Sequence, residues 1–152
     1  MGNPWSVQRE DLAEAARVLS CLGLVTAYGH VSARAATSML ITPAADLATI
    51  SESARVEVSL DASAVPARAP AEAWAHLALY RARPDAMSVA RAQPESGFAA
   101  AATGISLLPV YGQAAWLGET IPVHGGAHLH RQPMAVGWVP DTSDPDGALR
   151  RW

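Results

Sequence analysis

Three histidines form the only histidine cluster in the chain. His124, His128 and His130 lie in the segment HGGAHLH, spaced i, i+4 and i+6 on a predicted glycine-containing loop. Imidazole is a good ligand for zinc, nickel and copper, so a loop with this spacing could fold around a metal ion. No cysteine accompanies the three histidines, and the nearest acid is Glu119. The alternative interpretation is a solvated polar loop at a subunit interface.

Composition excludes several classes of enzyme and partner. All 11 basic residues are arginine, and a chain without lysine cannot form a Schiff base, anchor pyridoxal phosphate or build a Walker A loop. The motifs GxSxG, GxGxxG and HExxH are also absent from the sequence. A net charge of -3 supplies no basic surface for nucleic acid. We therefore expect no nucleic-acid partner.

Length and hydropathy indicate one domain that does not enter a membrane. A chain of 152 residues, 50% of them hydrophobic, can bury a sizeable core, so 1–152 is predicted to be a single domain. It has no run of about 18 apolar residues, which a membrane span requires. The first residues carry acids where a signal peptide would be apolar. The single cysteine, Cys21, fits a reducing compartment, and together these features predict a cytoplasmic protein.

Periodicity predicts strands and helices that alternate along the chain. Residues 7–22 place leucines and alanines at helical spacing and predict the clearest helix. A hairpin is predicted over 29–34 and 38–42. The remaining predicted elements are strands over 54–60, 86–92, 105–111 and 134–139, and helices over 71–83 and 94–103. This pattern predicts an α/β fold in which helices flank a mixed sheet.

The segment 69–94, APAEAWAHLALYRARPDAMSVARAQP, resembles the class II aldolase/adducin family. In the family's sugar-phosphate aldolases this stretch runs Pro-Ser-Ser-Glu, three residues, His, then an aromatic-Arg-Pro-Asp-Ala segment and a strand with His-x-His. The residues at matching offsets are Glu72, His76, Tyr80, Arg83, Pro84, Asp85 and Ala86. Three further segments resemble family segments in the same order: LVTAYGHVSAR (24–34), MLITPAA (39–45) and IPVHGGA (121–127).

The resemblance implies a fold, an assembly and a chemistry. The fold is a three-layer α/β/α domain around a mixed, largely antiparallel central sheet, and the assembly is a ring-shaped homo-oligomer, usually a tetramer. In the family's aldolases three histidines hold a zinc ion that stabilises an enediolate, and the glutamate at the helix start carries the proton. Glu72 occupies that glutamate position. Tyr111 lies near where the family brings a catalytic tyrosine from a neighbouring subunit.

Departures from the family pattern concern the metal site. Arg91 and Gln93 stand at the His-x-His positions, but arginine does not coordinate metals and glutamine is a weak zinc ligand. The third histidine would lie on the predicted strand 134–139, which contains none. His30 replaces the asparagine of a family Gly-Asn-Val-Ser turn, and the family's C-terminal helices are mostly missing. We expect no zinc at the family position and no other cofactor.

These observations predict a metal-independent lyase, dehydratase or isomerase that acts on a small carbonyl- or carboxylate-bearing metabolite. The predicted catalytic residues are Glu72 and Tyr111. The predicted substrate-binding residues are Arg91, Gln93, His30 and Ser32. One alternative is a non-catalytic binding or scaffold protein, in which Glu72 only caps its helix. Another is an enzyme whose metal has moved to the loop of His124, His128 and His130.

Two arrangements of Glu72 and Arg91 are open. A direct ion pair would hold both groups and leave Glu72 a weak base. Alternatively, Arg91 points past Glu72 and holds a substrate carboxylate or a developing oxyanion in its bidentate fork. His76, one turn after Glu72, is expected to be a packed or hydrogen-bonded side chain of the helix.

Overall fold

The computed structural model describes residues 9–51, 53–105, 108 and 110–117. In this part of the chain the helices are α1 (Arg9–Cys21), α2 (Ala73–Ala82) and α3 (Glu95–Thr103), followed by a 3-10 helix (Gly112–Leu117). The strands are β1 (His30–Ala35), β2 (Ser38–Ile41), β3 (Val56–Ser59) and β4 (Ser88–Arg91). Across these ranges, no helix combines the length and the apolar character needed to cross a membrane.

The four strands form one antiparallel sheet in the order β3-β2-β1-β4. A tight turn joins β1 to β2, and Ala36 in this turn adopts a φ of 53°. The first residue of β1, His30, lies opposite Arg91, the last residue of β4. The register therefore places two residues that are distant in the chain side by side at one end of the sheet.

The two faces of the sheet pack against different helices. Side chains alternate along β1, so Val31 and Ala33 join the core cluster of α1, whereas Ser32 contacts α2. The cluster on the α2 side is built around Leu77 and Tyr80 together with apolar residues of β2 and β3. Because α1 and α2 cover opposite faces, the domain has the three α/β/α layers that the family resemblance implies.

Arg34 on β1 anchors the C-terminal end of α2. Its guanidinium donates to the carbonyl oxygens of Tyr80 (2.7 Å), Arg83 (3.0 Å) and Ala86 (2.8 Å). Carbonyls at the end of a helix lack intrahelical donors, and the Arg34 guanidinium provides donors in their place. The guanidinium carbon also lies 4.8 Å from the centre of the Tyr80 ring. These contacts hold α2 against the sheet and help to set which of its residues face β1.

Most of the predicted elements are confirmed, with bounds that shift by a few residues. The strand predicted over 105–111 is wrong for the residues that the structure describes there: Ile105, Leu108 and Val110 have no regular structure and are exposed. An apolar run cannot specify a strand without a partner, and Pro109 has no N–H to donate to a ladder. The 3-10 helix that follows was not predicted. The predicted strand 134–139 lies outside the described residues.

Gly29→Ala should destabilise the fold at the entrance to β1. A Cβ at Gly29 would lie 2.6 Å from the Val25 side chain and 3.1 Å from the Arg91 carbonyl oxygen, so β1 and β4 would have to move apart. We expect urea unfolding to show a loss of about 1–3 kcal/mol. Gly97→Ala is the matched control, because its contacts begin at 3.4 Å and alanine favours a helix. Equal losses in both variants would contradict this packing.

Candidate functional site

Glu72 stands at the N-cap of α2 but does not cap the helix. Its backbone has φ -76° and ψ 0°, and its side chain makes no capping hydrogen bond. The residue is 8% exposed, and its Oε2 lies 3.5 Å from His30 Nε2. The carboxylate is directed towards β1 instead of the helix's own amides. This geometry disfavours the interpretation of Glu72 as a simple helix cap.

His30 is a buried imidazole that two charged residues influence. Burial lowers its pKa from the usual 6.5; the neighbouring Glu72 carboxylate opposes this shift, and the Arg91 guanidinium adds to it. The ring is therefore neutral at pH 7. A neutral ring can carry its hydrogen on Nε2, the atom nearest the carboxylate, and so donate to Glu72.

Arg91 and Gln93 lie at the end of β4. Arg91 is half-buried, and its Nη1 donates to the Tyr28 carbonyl oxygen at 3.4 Å. The Gln93 amide is satisfied when its nitrogen donates to the same carbonyl and its oxygen accepts from Arg91 Nη2 at 3.2 Å. In the described part of the chain, the Glu72 carboxylate thus contacts His30, while Tyr28 and Gln93 hold the guanidinium. Neither arrangement expected from the sequence included His30.

Ser32 joins the sheet to α2 through two buried contacts. Its hydroxyl oxygen lies 2.7 Å from His76 Nδ1 and 2.9 Å from the Tyr80 hydroxyl. His76 and Tyr80 are one helical turn apart, so both face β1. Each of them is 1% exposed. The expectation that His76 is a packed or hydrogen-bonded side chain is confirmed, since it is both.

Burial dominates the titration of His76 and Tyr80. It lowers the pKa of His76 from 6.5 to about 3, with His30 and Arg91 adding to the shift and Glu72 opposing it. Burial also raises the pKa of Tyr80 above 10.0, although its contacts with Ser32, Arg34 and the backbone of Val89 oppose this shift. At neutral pH the imidazole of His76 is therefore uncharged and the phenol is protonated.

The structure brings together most of the residues to which the sequence assigned a role. The N-terminus of α2 meets the start of β1, which is paired with the end of β4, and this junction holds Glu72, His30, Ser32, Arg91 and Gln93. Sequence reasoning did not include His76 and Tyr80 in the site. Their i, i+4 spacing on one helix face, opposite a strand with a serine, is the signal that could have found them.

The other predicted site residues lie either away from this junction or outside the residues that the structure describes. Tyr111 is 65% exposed just before the 3-10 helix, and no contact in the described part of the chain joins it to Glu72. Its catalytic role stays a prediction. His124, His128 and His130 lie outside the described residues.

The residues present do not fit the zinc site that the family resemblance implies. Two of its three ligand positions are Arg91 and Gln93, and a guanidinium is not a metal ligand. The Gln93 amide is engaged by Tyr28 and Arg91. Within the ranges that the structure describes, no group of three or more His, Cys, Asp or Glu side chains could hold a metal ion.

Comparison with known proteins identifies the family. Residues 10–138 match the class II aldolase and adducin N-terminal domain, and the chain belongs to this family. No curated protein sequence matches the chain.

Solved structures share the fold. L-fuculose-1-phosphate aldolase from Thermus thermophilus is 25% identical with a TM-score of 0.65, and the match covers 73% of this chain and 58% of that one. A second L-fuculose 1-phosphate aldolase is 22% identical with a TM-score of 0.73, covering 95% and 68%. An aldolase II superfamily protein from Pseudomonas syringae is 25% identical with a TM-score of 0.59, covering 78% and 51%. The chain thus spans 58% of the length of the Thermus enzyme.

Proposed function

We propose that this chain is a metal-independent enzyme of the lyase, dehydratase or isomerase type, acting on a small carbonyl- or carboxylate-bearing metabolite. The observation that carries the proposal is the environment of Glu72. Its carboxylate is buried at a helix N-terminus, makes no capping hydrogen bond and contacts the imidazole of His30. A structural cap would bond to the helix amides, whereas a carboxylate held by an imidazole is placed to exchange a proton with a ligand.

Glu72 is the proposed acid/base. It takes a proton from the carbon next to a carbonyl, so that the C–H bond breaks, an O–H bond forms on the carboxylate and an enolate remains. Return of the proton to a different atom, or loss of a leaving group from the enolate, completes an isomerisation or an elimination. His30 donates from Nε2 to the carboxylate and orients it, and because the imidazole is neutral it adds no charge that would weaken the base.

Arg91 is the proposed anion-binding group. Its guanidinium is a permanent positive charge, it is half-buried, and its field reaches both His30 and His76. Tyr28 and Gln93 hold two of its nitrogens, which reduces the freedom that would be lost on binding. A guanidinium held in this way can bind a substrate carboxylate or stabilise a developing oxyanion.

Exposed apolar side chains support the proposal that the protein is a homo-oligomer, as in the ring-shaped assembly that the resemblance implies. α3 has no buried residue, and Phe98 on this helix is 57% exposed. Val110, further along the chain, is 85% exposed. Large apolar surfaces on small domains commonly mark contacts between copies. A tetramer, a cytoplasmic location and a small-molecule substrate remain predictions.

Binding of glycolate, a small hydroxycarboxylate, tests the role of Arg91. We expect calorimetry to show that wild-type protein binds glycolate in the presence of a chelator. Arg91→Ala should weaken this binding about 10–100-fold, which corresponds to the free energy of one hydrogen bond to a charged group. Arg83→Ala is the matched control, because that arginine pairs with Asp85 at the surface. Equal weakening in both variants, or binding that Arg91→Ala leaves unchanged, would contradict the assignment.

A further inference from the structure

Two buried imidazole nitrogens next to Glu72 have no hydrogen-bond partner among the residues that the structure describes. They are Nδ1 of His30 and Nε2 of His76. The two ring centres are 6.4 Å apart and the ring planes meet at 65°, so the rings are neighbours but do not stack. The residues are 5% and 1% exposed. Buried polar atoms are nearly always paired, so both nitrogens indicate a polar group that belongs beside them.

The hydrogen-bond chain through Ser32 determines which nitrogen of His76 carries the hydrogen. The buried hydroxyl hydrogen of Tyr80 needs an acceptor, and among the described side chains its partner is Ser32 Oγ at 2.9 Å, so we assign the donor role in this contact to Tyr80. The Ser32 oxygen accepts this hydrogen bond, and its other side-chain partner is His76 Nδ1 at 2.7 Å. The Ser32 hydroxyl therefore donates its hydrogen to His76 Nδ1. A neutral imidazole that accepts at Nδ1 carries its hydrogen on Nε2, so the unpaired Nε2 of His76 is a donor.

The unpaired nitrogen of His30 has the opposite hydrogen-bonding role. Its Nε2 faces the Glu72 carboxylate at 3.5 Å, and a carboxylate only accepts. The hydrogen of the neutral ring therefore resides on Nε2, and the unpaired Nδ1 of His30 is an acceptor. The two unpaired nitrogens form a donor and an acceptor on adjacent rings.

We propose that His76 Nε2 and His30 Nδ1 together bind one hydroxyl oxygen, which accepts a hydrogen bond from the first and donates one to the second. A hydroxyl has both capacities, whereas a carbonyl or carboxylate oxygen could satisfy only His76. With ring centres 6.4 Å apart, one oxygen lies about 2.9 Å from both nitrogens when the two nitrogens face it across the gap between the rings. This inference rests on the proposed function and narrows it: the substrate carries a hydroxyl group, and bound water takes that position when no substrate is present.

The distribution of ring hydrogens provides the first test. Long-range proton–nitrogen NMR spectra should show His30 and His76 both as Nε2–H tautomers at neutral pH. Ser32→Ala removes the donor to His76 Nδ1 and should give a mixture of tautomers at His76. Tyr80→Phe is the control, because the Ser32 hydroxyl remains free to donate to Nδ1 and the tautomer should stay unchanged. An Nδ1–H tautomer of His76 in the wild type would overturn the proposal, even if Ser32→Ala failed to fold.

Two ligands that differ by a hydroxyl group distinguish the sources of the oxygen. Glycolate should shift the nitrogen resonances of both unpaired atoms, and acetate, which lacks the hydroxyl, should not. Cross-peaks from both rings to a single bound water, with no shift from either ligand, would assign the oxygen to water. Equal shifts from glycolate and acetate, or neither shifts nor such a water, would overturn the site. The tautomers are read without turnover, so they can be correct even if the proposed reaction fails.

Discussion

Glu72→Gln should reduce the exchange of carbon-bound hydrogen for deuterium by at least about 100-fold, the usual contribution of a positioned acid/base. The assay follows the C–H bond next to the carbonyl in glycolaldehyde and pyruvate in heavy water. An amide has the size of the carboxylate but cannot take the proton, and it can still accept from His30 Nε2. The substitution therefore removes the base while keeping the contact that now lies at 3.5 Å.

Glu57→Gln is the matched control for this experiment. Glu57 lies on β3, is exposed and accepts a hydrogen bond from Ser38 Oγ at 2.6 Å, so the same change is made at a hydrogen-bonded carboxylate on another strand. We expect exchange at the wild-type rate. Similar rates for Glu72→Gln and wild type would contradict the acid/base assignment. Wild-type protein that exchanges none of these hydrogens would favour the binding or scaffold alternative.

Acid should destabilise the protein through His76 well before the ring itself is protonated in the folded state. The unfolded ring takes a proton near pH 6.5, but the folded ring does so only at about 3. As pH falls through this window the unfolded state binds more protons, so the free energy of unfolding should fall by about 1.4 kcal/mol per pH unit for this residue. Above pH 6.5 the titration of His76 causes no loss of stability, and the loss is complete once the pH has fallen to about 3.

Urea unfolding at a series of pH values measures this slope. His76→Asn is expected to be less stable than wild type at neutral pH, because it leaves Ser32 with a poorer partner, but its stability should decline less steeply in acid. His30→Asn should change the slope in the same direction, since burial also lowers the pKa of His30. Carboxylates titrate in this range in every variant, so the difference between slopes is the informative quantity. Parallel slopes for wild type and His76→Asn would contradict the buried, neutral ring.

Local patterns in the sequence were sufficient for most of the elements. The leucine and alanine spacing of α1, the alternation of β3 and the proline after α2 each specify one element through nearby residues. The strand prediction around Leu108 failed because strand formation depends on a partner strand that no local pattern identifies. The left-handed Ala36 in the hairpin turn is likewise imposed by the pairing of β1 with β2 and not by a turn residue.

Most residues that meet at this junction could be named from the sequence, but their contacts could not. Glu72, His30, Ser32, Arg91 and Gln93 were named from residue types and the family resemblance. The contact of Glu72 with His30 depends on how α2 docks on the sheet, and the position of Arg91 opposite His30 depends on strand register. Both are long-range features. The Ser32–His76 hydrogen bond has the same origin, because it joins residues on different elements.

The exchange assay on wild-type protein tests the proposed metal independence directly. The protein is stripped with a strong chelator, its zinc content is measured, and the exchange rate is compared before and after zinc is added back. We predict that the rate is unchanged by the chelator and by added zinc, because Arg91 and Gln93 stand at two of the three family ligand positions and cannot replace imidazoles. Loss of exchange on chelation, restored by about one zinc ion per chain, would contradict the claim.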